Sequence, residues 1–530
     1  MRATDSVFSP AAVSRVVEQL LGNTTEETQN AWLRSVATRT TGSRPDLAPA
    51  LSAILGEEPV GPNLLADLSI GELAVCYEAL LAKLDSGSRR TSGQYFTPDD
   101  TADFMASHAA FFPPGVWLDP CTGVGNLAWH LALSQDSPDQ FVRNNLVLVD
   151  QDEVALKSAV ALLGAEFLAR DDAQGLKLLG SRAVCRDSLS GGPLPPHDFA
   201  ILNPPYARTD LDPSFETASS RDLFAYFMEK VAKSSKGYIA VTPASYLAAP
   251  RYQPLRTVLK REAAGGSVFV FDNVPDTLFR GYKFGSKNTS RTNFVRAAIT
   301  VSAPQSDGWM VTPILRWQVR SRKEMFKKAP SMLSPMVEGP NGEWAKLPPG
   351  FQETWERLRK SPQVLSDLLS EKETPNRLDV ALTPRYFISA SVRPLDRVSK
   401  ATLYFESAEE RDRAALVLNS SIPYLWWRVL DGGVGLPKRV LLSVPIPQVP
   451  PGGAELVSQL HGEESDNIVV KRNAGRRNEN LKRPLGTVRA LDELFLPEVV
   501  DLLPQVYSNN MFPLGVHAGE EAERDPRSAA

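Results

Sequence analysis

A polar segment directly follows the apolar run FAIL, and it consists of Asn203, Pro204, Pro205 and Tyr206. The two prolines fix φ and lack amide donors, so the segment cannot continue a sheet ladder and leaves its carbonyl groups as acceptors. If the Asn203 side-chain oxygen and the Pro204 carbonyl accept the two hydrogens of an aromatic amine, its nitrogen is drawn toward a tetrahedral, reactive geometry. Tyr206 offers a ring on which the base can stack. The segment therefore predicts a site that activates an amino group on a planar ring, and a proline-bounded loop is the alternative.

A second segment, DPCTGVGNL, begins at Asp119 and joins a predicted strand to a predicted helix. Glycine lets the backbone approach a ligand closely, and a helix N-terminus presents unpaired amides. A dinucleotide fingerprint would need a third glycine at position 128, which is Ala. An acid ahead of the glycines favours a ligand with an ammonium group. We therefore predict that a small cofactor binds at Asp119, Pro120, Gly123 and Gly125, and a plain tight turn is the alternative.

Further polar residues occur where other strands are predicted to end. Asp150 closes the run NLVLVD, where an acid can accept both hydroxyls of a ribose. Asp187, in AVCRDSLS, closes another strand, where a carboxylate can reach an adenine amino group. Upstream, GQYFTP supplies Tyr95 and Thr97 just ahead of a helix that begins PDDTADFMASH. Each acid alone is a common strand-end residue, but together they follow the order of the parts of a nucleoside cofactor.

These residues depend on an alternating pattern of strands and helices between about residues 110 and 305. Strands are predicted at GVWLDP, NLVLVDQD, FAILNPP, GYIAVTP, SVFVFDN and NFVRAAITVS, with helices such as EVALKSAVALLGAEFL between some of them. This alternation is typical of a parallel, doubly wound α/β sheet. Residues 10–90 have the apolar spacing of helices, and the chain after Pro304 is mixed and rich in tryptophan and proline. We therefore predict a helical N-terminal region (1–90), a catalytic α/β domain (91–305), a mixed α+β domain (306–510) and a disordered tail (511–530).

Composition limits the classes of function. The chain has 530 residues, 42% of them hydrophobic, and a net charge of −4, which predicts a globular protein of several domains. Its three cysteines lie far apart without a CxxC pair or a nearby histidine, which argues against a disulfide framework or a zinc site. The same spacing leads us to expect no metal. No run approaches about 18 apolar residues, so we expect a cytoplasmic protein with no membrane partner. From Arg251 to Lys328, fifteen Lys and Arg stand against five acids, a distribution that attracts a phosphate backbone or forms a solvated basic face.

The motifs GQYFTP, DPCTGVG and NPPY, in this order, resemble the gamma-class N6-adenine DNA methyltransferases. The resemblance is strong over about residues 90–300. It extends to the modification subunits of Type I restriction systems and to single-chain adenine methylases that carry their own recognition domain. It implies a Rossmann-like class I methyltransferase sheet, S-adenosyl-L-methionine as the cofactor, double-stranded DNA as the partner, and base flipping.

The resemblance also implies a role for each matching residue. Tyr95 belongs to the cofactor-binding motif, and Pro205 to the catalytic motif. By the same resemblance, Thr97 would bind the methionine carboxylate of the cofactor, Asp119 its ammonium group, Asp150 its ribose and Asp187 its adenine amine. The target base would be bound by Asn203, Pro204 and Tyr206, and Phe279 would be a second stacking ring.

The C-terminal part resembles the target-recognition domains of Type I specificity subunits. There, LVLNSSIPYLWWRVL and DGGVGLPKRVLLSVPIPQVP imply a helix, a glycine turn and a strand that runs into PIP. Trp426 and Trp427 are predicted to be core aromatics rather than base contacts. The basic stretch at 471–489 is either a phosphate-binding surface or a solvated helix face.

The resulting hypothesis is a site-specific adenine-N6 DNA methyltransferase of a restriction-modification or phage-defence system. One alternative is a DNA-recognition and methylation subunit that needs partner chains from the restriction or defence complex. Another is a methyltransferase that acts on RNA or on a protein glutamine, because NPPY also occurs in such enzymes. A combined nuclease and methylase is disfavoured, since the flanking regions offer no nuclease constellation of two acids and a lysine.

Overall fold

The computed structural model describes residues 9–84, 97–210, 213–279, 295–384, 386–433, 435–473, 476–508 and 511–512. The chain divides into two compact units, of which the first comprises Met1–Tyr246 and Arg251–Met310 and the second Leu247–Pro250 and Val311–Ala530. The first unit contains both the predicted N-terminal helices and the predicted α/β sheet. Of the predicted tail, residues 513–530 lie outside the described residues.

The first unit is organised around one sheet. The described strands of this sheet that lie wholly in the first unit are β1 (Trp117–Asp119), β2 (Leu146–Asp150), β3 (Ala183–Cys185), β4 (Phe199–Leu202), β5 (Gly237–Pro243), β6 (Gly265–Phe271) and β7 (Ala297–Ser302). They lie in the order β3-β2-β1-β4-β5-β7-β6. The strands β1, β4, β5 and β7 are buried along their whole length, as expected for a sheet that is covered on both faces.

Strand directions confirm the α/β class and correct one detail of it. The first five strands run parallel, but β7 pairs antiparallel with both β5 and β6. Apolar runs record burial, and β7 is as buried as its neighbours, so the pattern carried no information about its direction. The chain moves from β1 outward to β2 and β3, and then from β4 to β5 on the other side. With right-handed crossovers, this reversal produces a doubly wound sheet.

Helices before and between the strands complete the first unit. Its described helices are α1 (Pro10–Leu20), α2 (Thr25–Ser43), α3 (Ala48–Leu55), α4 (Ile70–Leu84), α5 (Asp99–Ser107), α6 (Asn126–Leu133), α7 (Pro138–Asn144), α8 (Glu153–Phe167), α9 (Ala173–Ser181), α10 (Leu223–Ser234) and α11 (Gln253–Glu262). α2 lies within the region predicted to be helical, although its five threonines lower its helix propensity. Packing overrides that propensity, because the Trp32 indole donates to the Ser158 hydroxyl of α8 at 2.9 Å.

The second unit mixes short strands with helices. Its described strands are β8 (Gly308–Leu315), which begins in the first unit, β9 (Ser334–Pro335), β10 (Arg377–Ala381), β11 (Ala390–Ser391), β12 (Lys400–Tyr404), β13 (Ile468–Asn473) and β14 (Arg476–Leu481). β10 pairs antiparallel with β11 and β12, and β13 pairs with β14 as a hairpin. Its described helices are α12 (Arg322–Lys328), α13 (Gln352–Arg359), α14 (Ala408–Asn419), α15 (Ile422–Leu430), α16 (Lys438–Leu442), α17 (Gly453–Glu463), α18 (Leu485–Phe495) and α19 (Leu503–Tyr507). No described helix of either unit has the length and apolar character that a membrane crossing requires.

Tryptophans fill the core of the second unit. Trp426 and Trp427 of α15 are each 2% exposed, which confirms the prediction that they are core residues. The Trp426 ring lies 4.5 Å from that of Trp355, and its indole donates to the Ser443 hydroxyl at 3.0 Å. The Trp427 indole donates to the Gly435 carbonyl, so both tryptophans of α15 have a partner for their N–H group.

One prediction for the second unit is wrong, and one of two alternatives is excluded over part of its range. The segment expected to be a strand ahead of PIP contains the helix α16, which begins after Pro437 and buries Val440 and Leu441. Adjacent buried residues occur in short helices as well as in strands, so the run did not distinguish them. The first part of the basic stretch at 471–489 is not a helix face, since its described residues lie on the paired strands β13 and β14. Lys471 and Arg472 are exposed on its first strand.

Candidate functional site

Four polar residues meet at one edge of the first unit's sheet. Asp119 ends β1, Asp150 ends β2, Asp187 lies two residues beyond β3, and Asn203 follows β4 directly. These four parallel strands are neighbours in the sheet, so their carboxyl ends lie side by side. The strand order reverses between β1 and β4, and in open α/β sheets ligands bind at such a reversal. The fold thus brings together the residues that the separate motifs predicted.

A cavity of about 290 Å³ lies at this edge. Eight of the predicted site residues line it, namely Thr97, Asp119, Pro120, Gly123, Asp150, Asp187, Asn203 and Pro205. Four others are described but are not among its lining residues, namely Pro204, Tyr206, Gly125 and Phe279. Tyr95 lies outside the described residues.

The two glycines of the turn after β1 have different surroundings. Gly123 has φ +53°, its amide donates to an Asp150 carboxylate oxygen at 2.7 Å, and no atom lies within 4 Å of the position that a Cβ would occupy. Gly125 has φ +92°, and a Cβ there would lie 3.1 Å from the Cβ of Ala159 on α8. Gly123 therefore keeps the cavity open, whereas Gly125 allows the turn to pack on α8. Packing on α8 therefore explains the glycine at position 125, which the sequence had assigned to cofactor contact.

Burial disfavours the ionised forms of Asp119 and Asp150. Asp119 is 1% exposed, and burial raises the pKa of its carboxyl to about 8, against a lowering by the Cys121 amide and a further rise from the Asp150 charge. Burial also raises the pKa of Asp150, although the amides of Asp152 and Gly123 donate to it. Two neighbouring buried carboxylates are stabilised by a positive charge between them. The corner therefore fits a ligand that carries an ammonium or sulfonium group.

Asn203 is held in one orientation by hydrogen bonds. Its side-chain amide donates to the Thr97 hydroxyl at 2.8 Å, and its side-chain oxygen accepts from the Tyr206 hydroxyl at 2.8 Å. The Tyr206 hydroxyl also lies 2.9 Å from the Val241 carbonyl on β5. The sequence placed Tyr206 in the catalytic motif and predicted that it stacks on the base, but it did not reveal that the Tyr206 hydroxyl orients Asn203. The carboxamide oxygen is thereby fixed as an acceptor at the cavity edge.

Aromatic rings surround Tyr206. Its ring centroid lies 5.8 Å from that of Phe279 and 6.2 Å from that of Phe224, at interplanar angles of 66° and 83°. Phe279 is 1% exposed. The two predicted stacking rings are therefore neighbours, but they meet edge to face and are not parallel. A planar base between them requires a rearrangement of this pair.

Sequence reasoning missed the contribution of α4. Ala74, Tyr77, Glu78 and Leu81 line the cavity, and their spacing of three, four and seven residues marks one face of the helix. The signal was present as a polar pair, Tyr77 and Glu78, on an otherwise apolar face. Such a pair also occurs on ordinary amphipathic helices, and the other residues that line the cavity are distant from α4 in sequence.

The basic block of 251–328 is partly neutralised. Arg251 lies 3.1 Å from Asp222, Arg261 lies 2.8 Å from Glu216, and Arg296 lies 2.8 Å from Asp272. Arg280, Lys283, Lys287 and Arg291 lie outside the described residues. These three cations of the block thus have local ion-pair partners. Among the described residues, no group of three or more His, Cys, Asp or Glu could hold a metal ion.

Comparison with known proteins gives distant structural similarities. No protein-family model matches the chain, and no curated protein matches it. Over 99% of its length and 79% of the other chain, it is similar to the type IIG restriction endonuclease BpuSI, at 12% identity and a TM-score of 0.44. It is similar to a chain of the DrdV–DNA complex at 12% identity and a TM-score of 0.43, over 63% of its own length and 43% of that chain. A modification subunit of a putative type I restriction enzyme from Vibrio vulnificus YJ016 has 10% identity and a TM-score of 0.39, over 64% and 96% of the two chains. At such scores the function has to be inferred from the chain's own residues.

Proposed function

We propose that the protein is a site-specific DNA methyltransferase that transfers a methyl group from S-adenosyl-L-methionine to the N6 amino group of adenine. One observation carries the proposal. The Asn203 carboxamide, followed by two prolines, is fixed by Thr97 and Tyr206 at the rim of a cavity lined by carboxylates. This combination supplies an acceptor for an aromatic amine beside a site for a cationic nucleoside.

The cavity fits the cofactor by its chemistry. Asp119 would bind the ammonium group, Asp150 the ribose, Asp187 the adenine amine and Thr97 the methionine carboxylate. The Asn126 side-chain oxygen is a buried acceptor without a hydrogen-bond partner among the described residues, and Gly123 leaves open space. When bound, S-adenosyl-L-methionine supplies a methyl group activated by its sulfonium centre.

The chain itself contributes orientation and charge placement to the reaction. The Asn203 oxygen and the Pro204 carbonyl would accept the hydrogens of the amine and raise its nucleophilicity. None of the four described histidines lines the cavity. The amine nitrogen would lose its proton to water after the transfer, and S-adenosyl-L-homocysteine would leave as the second product. The target adenine reaches the cavity by base flipping, at a cost on the order of a few kcal/mol. Tyr206 and Phe279 are the stacking rings for the flipped base.

We assign target recognition to the second unit. A methylase domain grips one nucleotide and a few phosphates, and discrimination of a longer site needs side chains at base edges in a groove. Outside the first unit, the described chain offers helices, small sheets and the β13–β14 hairpin, on which Lys471 and Arg472 are exposed cations. A restriction-modification or defence system is the setting that we propose. The chain acts there alone or as the recognition and methylation subunit of a larger assembly.

The test is product analysis with the purified full-length chain. Labelled S-adenosyl-L-methionine is incubated with double-stranded DNA, RNA or protein, and the modified nucleosides and amino acids are identified by mass spectrometry. We expect N6-methyladenine in DNA, with Asn203→Ala lowering turnover by roughly 10²–10³-fold as for the loss of one positioned polar group. Asn144→Ala, a change at an exposed residue of α7, is the matched control. Methylated RNA or glutamine as the product, or wild-type turnover by Asn203→Ala, would contradict the proposal.

A further inference from the structure

Helix α4 forms one wall of the cavity. Ala74, Tyr77, Glu78 and Leu81 of this helix line it. The Tyr77 hydroxyl bonds to both carboxylate oxygens of Asp152, at 3.0 and 2.8 Å, and Asp152 also caps α8 through the amides of Val154 and Ala155. The helix is therefore fixed to the turn after β2, and Glu78 next to Tyr77 has a defined position at the cavity.

Glu78 differs from the other carboxylates that line the cavity. Asp119 accepts from the Cys121 amide, Asp187 from the Leu189 amide, and Asp150 and Asp152 have the partners described above. Within the described part of the chain, the Glu78 carboxylate has no hydrogen-bond or ion-pair partner. Burial raises the pKa of this carboxyl to about 7. Glu78 is thus a partly buried acid whose ionised form lacks protein stabilisation.

The Asn126 side chain supplies a second hydrogen-bond acceptor in the cavity that lacks a partner among the described residues. The Asn126 side chain is 7% exposed, and its amide nitrogen donates to the Thr97 carbonyl at 2.8 Å. The side-chain oxygen of Asn126 has no hydrogen-bond partner in the described part of the chain. The lining contains five carboxylates but a single cation, Arg186, which donates to the Pro193 carbonyl at 2.6 Å. The excess of carboxylates favours a ligand that brings positive charge, and the Asn126 oxygen favours one that brings a hydrogen-bond donor.

We propose that Glu78 is the residue by which the cavity distinguishes the methyl-bearing cofactor from its demethylated product. The inference rests on the proposed function, since it assumes that S-adenosyl-L-methionine occupies this cavity. The sulfonium cation of the substrate form stabilises the ionised Glu78 carboxylate. Loss of the methyl group would remove that positive charge, and Glu78 would again be a partly buried acid without a counter-charge. The same carboxylate therefore makes the chain bind the methyl donor more tightly than the demethylated product.

The test compares ligands that differ in charge at one atom. Calorimetry at about pH 8 measures the dissociation constants of S-adenosyl-L-methionine, of sinefungin, which carries an ammonium group in place of the methyl sulfonium, and of S-adenosyl-L-homocysteine. In Glu78→Gln we expect about tenfold weaker binding of the two cationic ligands and less than twofold change for the neutral one. Glu78→Asp should retain part of the preference. Glu18→Gln, the same change at an exposed residue of α1, should match the wild type.

The outcomes separate this inference from the proposed function. If the wild-type chain binds none of the three ligands, the cofactor assignment fails and this inference fails with it. If the wild type binds them but Glu78→Gln keeps the same preference for the cations, the role of Glu78 alone is refuted. Equal weakening of all three ligands also refutes it, because Glu78 would then contact a group that they share. Thermal melting of each variant verifies folding, and Glu78→Asp keeps the charge if Glu78→Gln does not fold.

Discussion

The side-chain amide of Asn203 donates to the Thr97 hydroxyl at 2.8 Å, across 106 positions of sequence. This bond joins the segment ahead of α5 to the segment after β4. In the proposed function, Thr97 belongs to the cofactor site and Asn203 to the catalytic site. A threonine hydroxyl can donate one hydrogen bond while it accepts others, so Thr97 can bind a cofactor carboxylate and still orient Asn203. Cofactor binding and catalytic orientation are then coupled through one hydroxyl group.

The coupling predicts a distinct behaviour for substitutions of Thr97. Thr97→Val keeps the shape but removes the hydroxyl, so Asn203 loses an orienting acceptor and the cofactor loses a donor. We expect kcat to fall by about 10–100-fold and cofactor affinity to weaken by about 1 kcal/mol. Thr97→Ser keeps the hydroxyl and should retain most of both. Single-turnover kinetics and calorimetry measure the two effects, and Thr97→Val with wild-type kcat would contradict the coupling.

The hydroxyl and the ring of Tyr206 predict separable contributions. Tyr206→Phe removes the hydrogen bond to the Asn203 oxygen but keeps the ring beside Phe279. We expect it to lower kcat by about tenfold with little change in DNA affinity, since a net hydrogen bond is worth about 1 kcal/mol. Tyr206→Ala also removes the ring and should weaken capture of an unpaired target base by about 1–3 kcal/mol. Binding to duplexes with a mismatched target adenine would measure that difference, and identical kinetics of the two variants would argue against it.

The buried acids predict a pH dependence with a defined sign. The pKa of Asp119 rises from 3.8 to about 8, that of Glu78 rises from 4.5 to about 7, and both rises are caused by burial. The free folded chain therefore binds more protons than the unfolded chain between about pH 4 and pH 8, so these groups lose their stabilising contribution as pH rises through that window. A cationic ligand favours the ionised forms, so its affinity should increase over the same window. Thermal melting with and without S-adenosyl-L-methionine from pH 6 to 8.5 measures both slopes, and both should flatten in Asp119→Asn.

Much of the cavity could be predicted because several of the motifs lie where a strand ends. Asp119, Asp150 and Asn203 stand at such ends, and a parallel sheet aligns the carboxyl ends of its strands whatever their distance in sequence. Local patterns could not reveal Glu78, since its place at the cavity depends on the packing of α4 against a turn more than 70 residues away. They also could not fix the direction of β7 or the hydrogen bond from Tyr206 to Asn203. Both depend on tertiary contacts that leave no periodic signal in the chain.

The two glycines of the turn after β1 provide the last prediction. A non-glycine residue in the left-handed region costs about 1–2 kcal/mol, and this cost applies to both positions because both have positive φ. At Gly125 a methyl group would also lie 3.1 Å from the Cβ of Ala159 on α8, and this packed helix has little room to move away. At Gly123 the space is open, but that space belongs to the cavity.

Gly125→Ala should therefore lower the free energy of unfolding by about 2–4 kcal/mol, which adds an overpacking cost to the backbone cost. Gly123→Ala should lower it by no more than about 2 kcal/mol, and should weaken S-adenosyl-L-methionine binding because the methyl group enters the ligand's space. Denaturant unfolding and calorimetry on both variants give the two quantities for each. A Gly123→Ala chain that binds the cofactor as tightly as the wild type, together with a Gly125→Ala chain of unchanged stability, would mean that this turn neither contacts the cofactor nor packs on α8 as described.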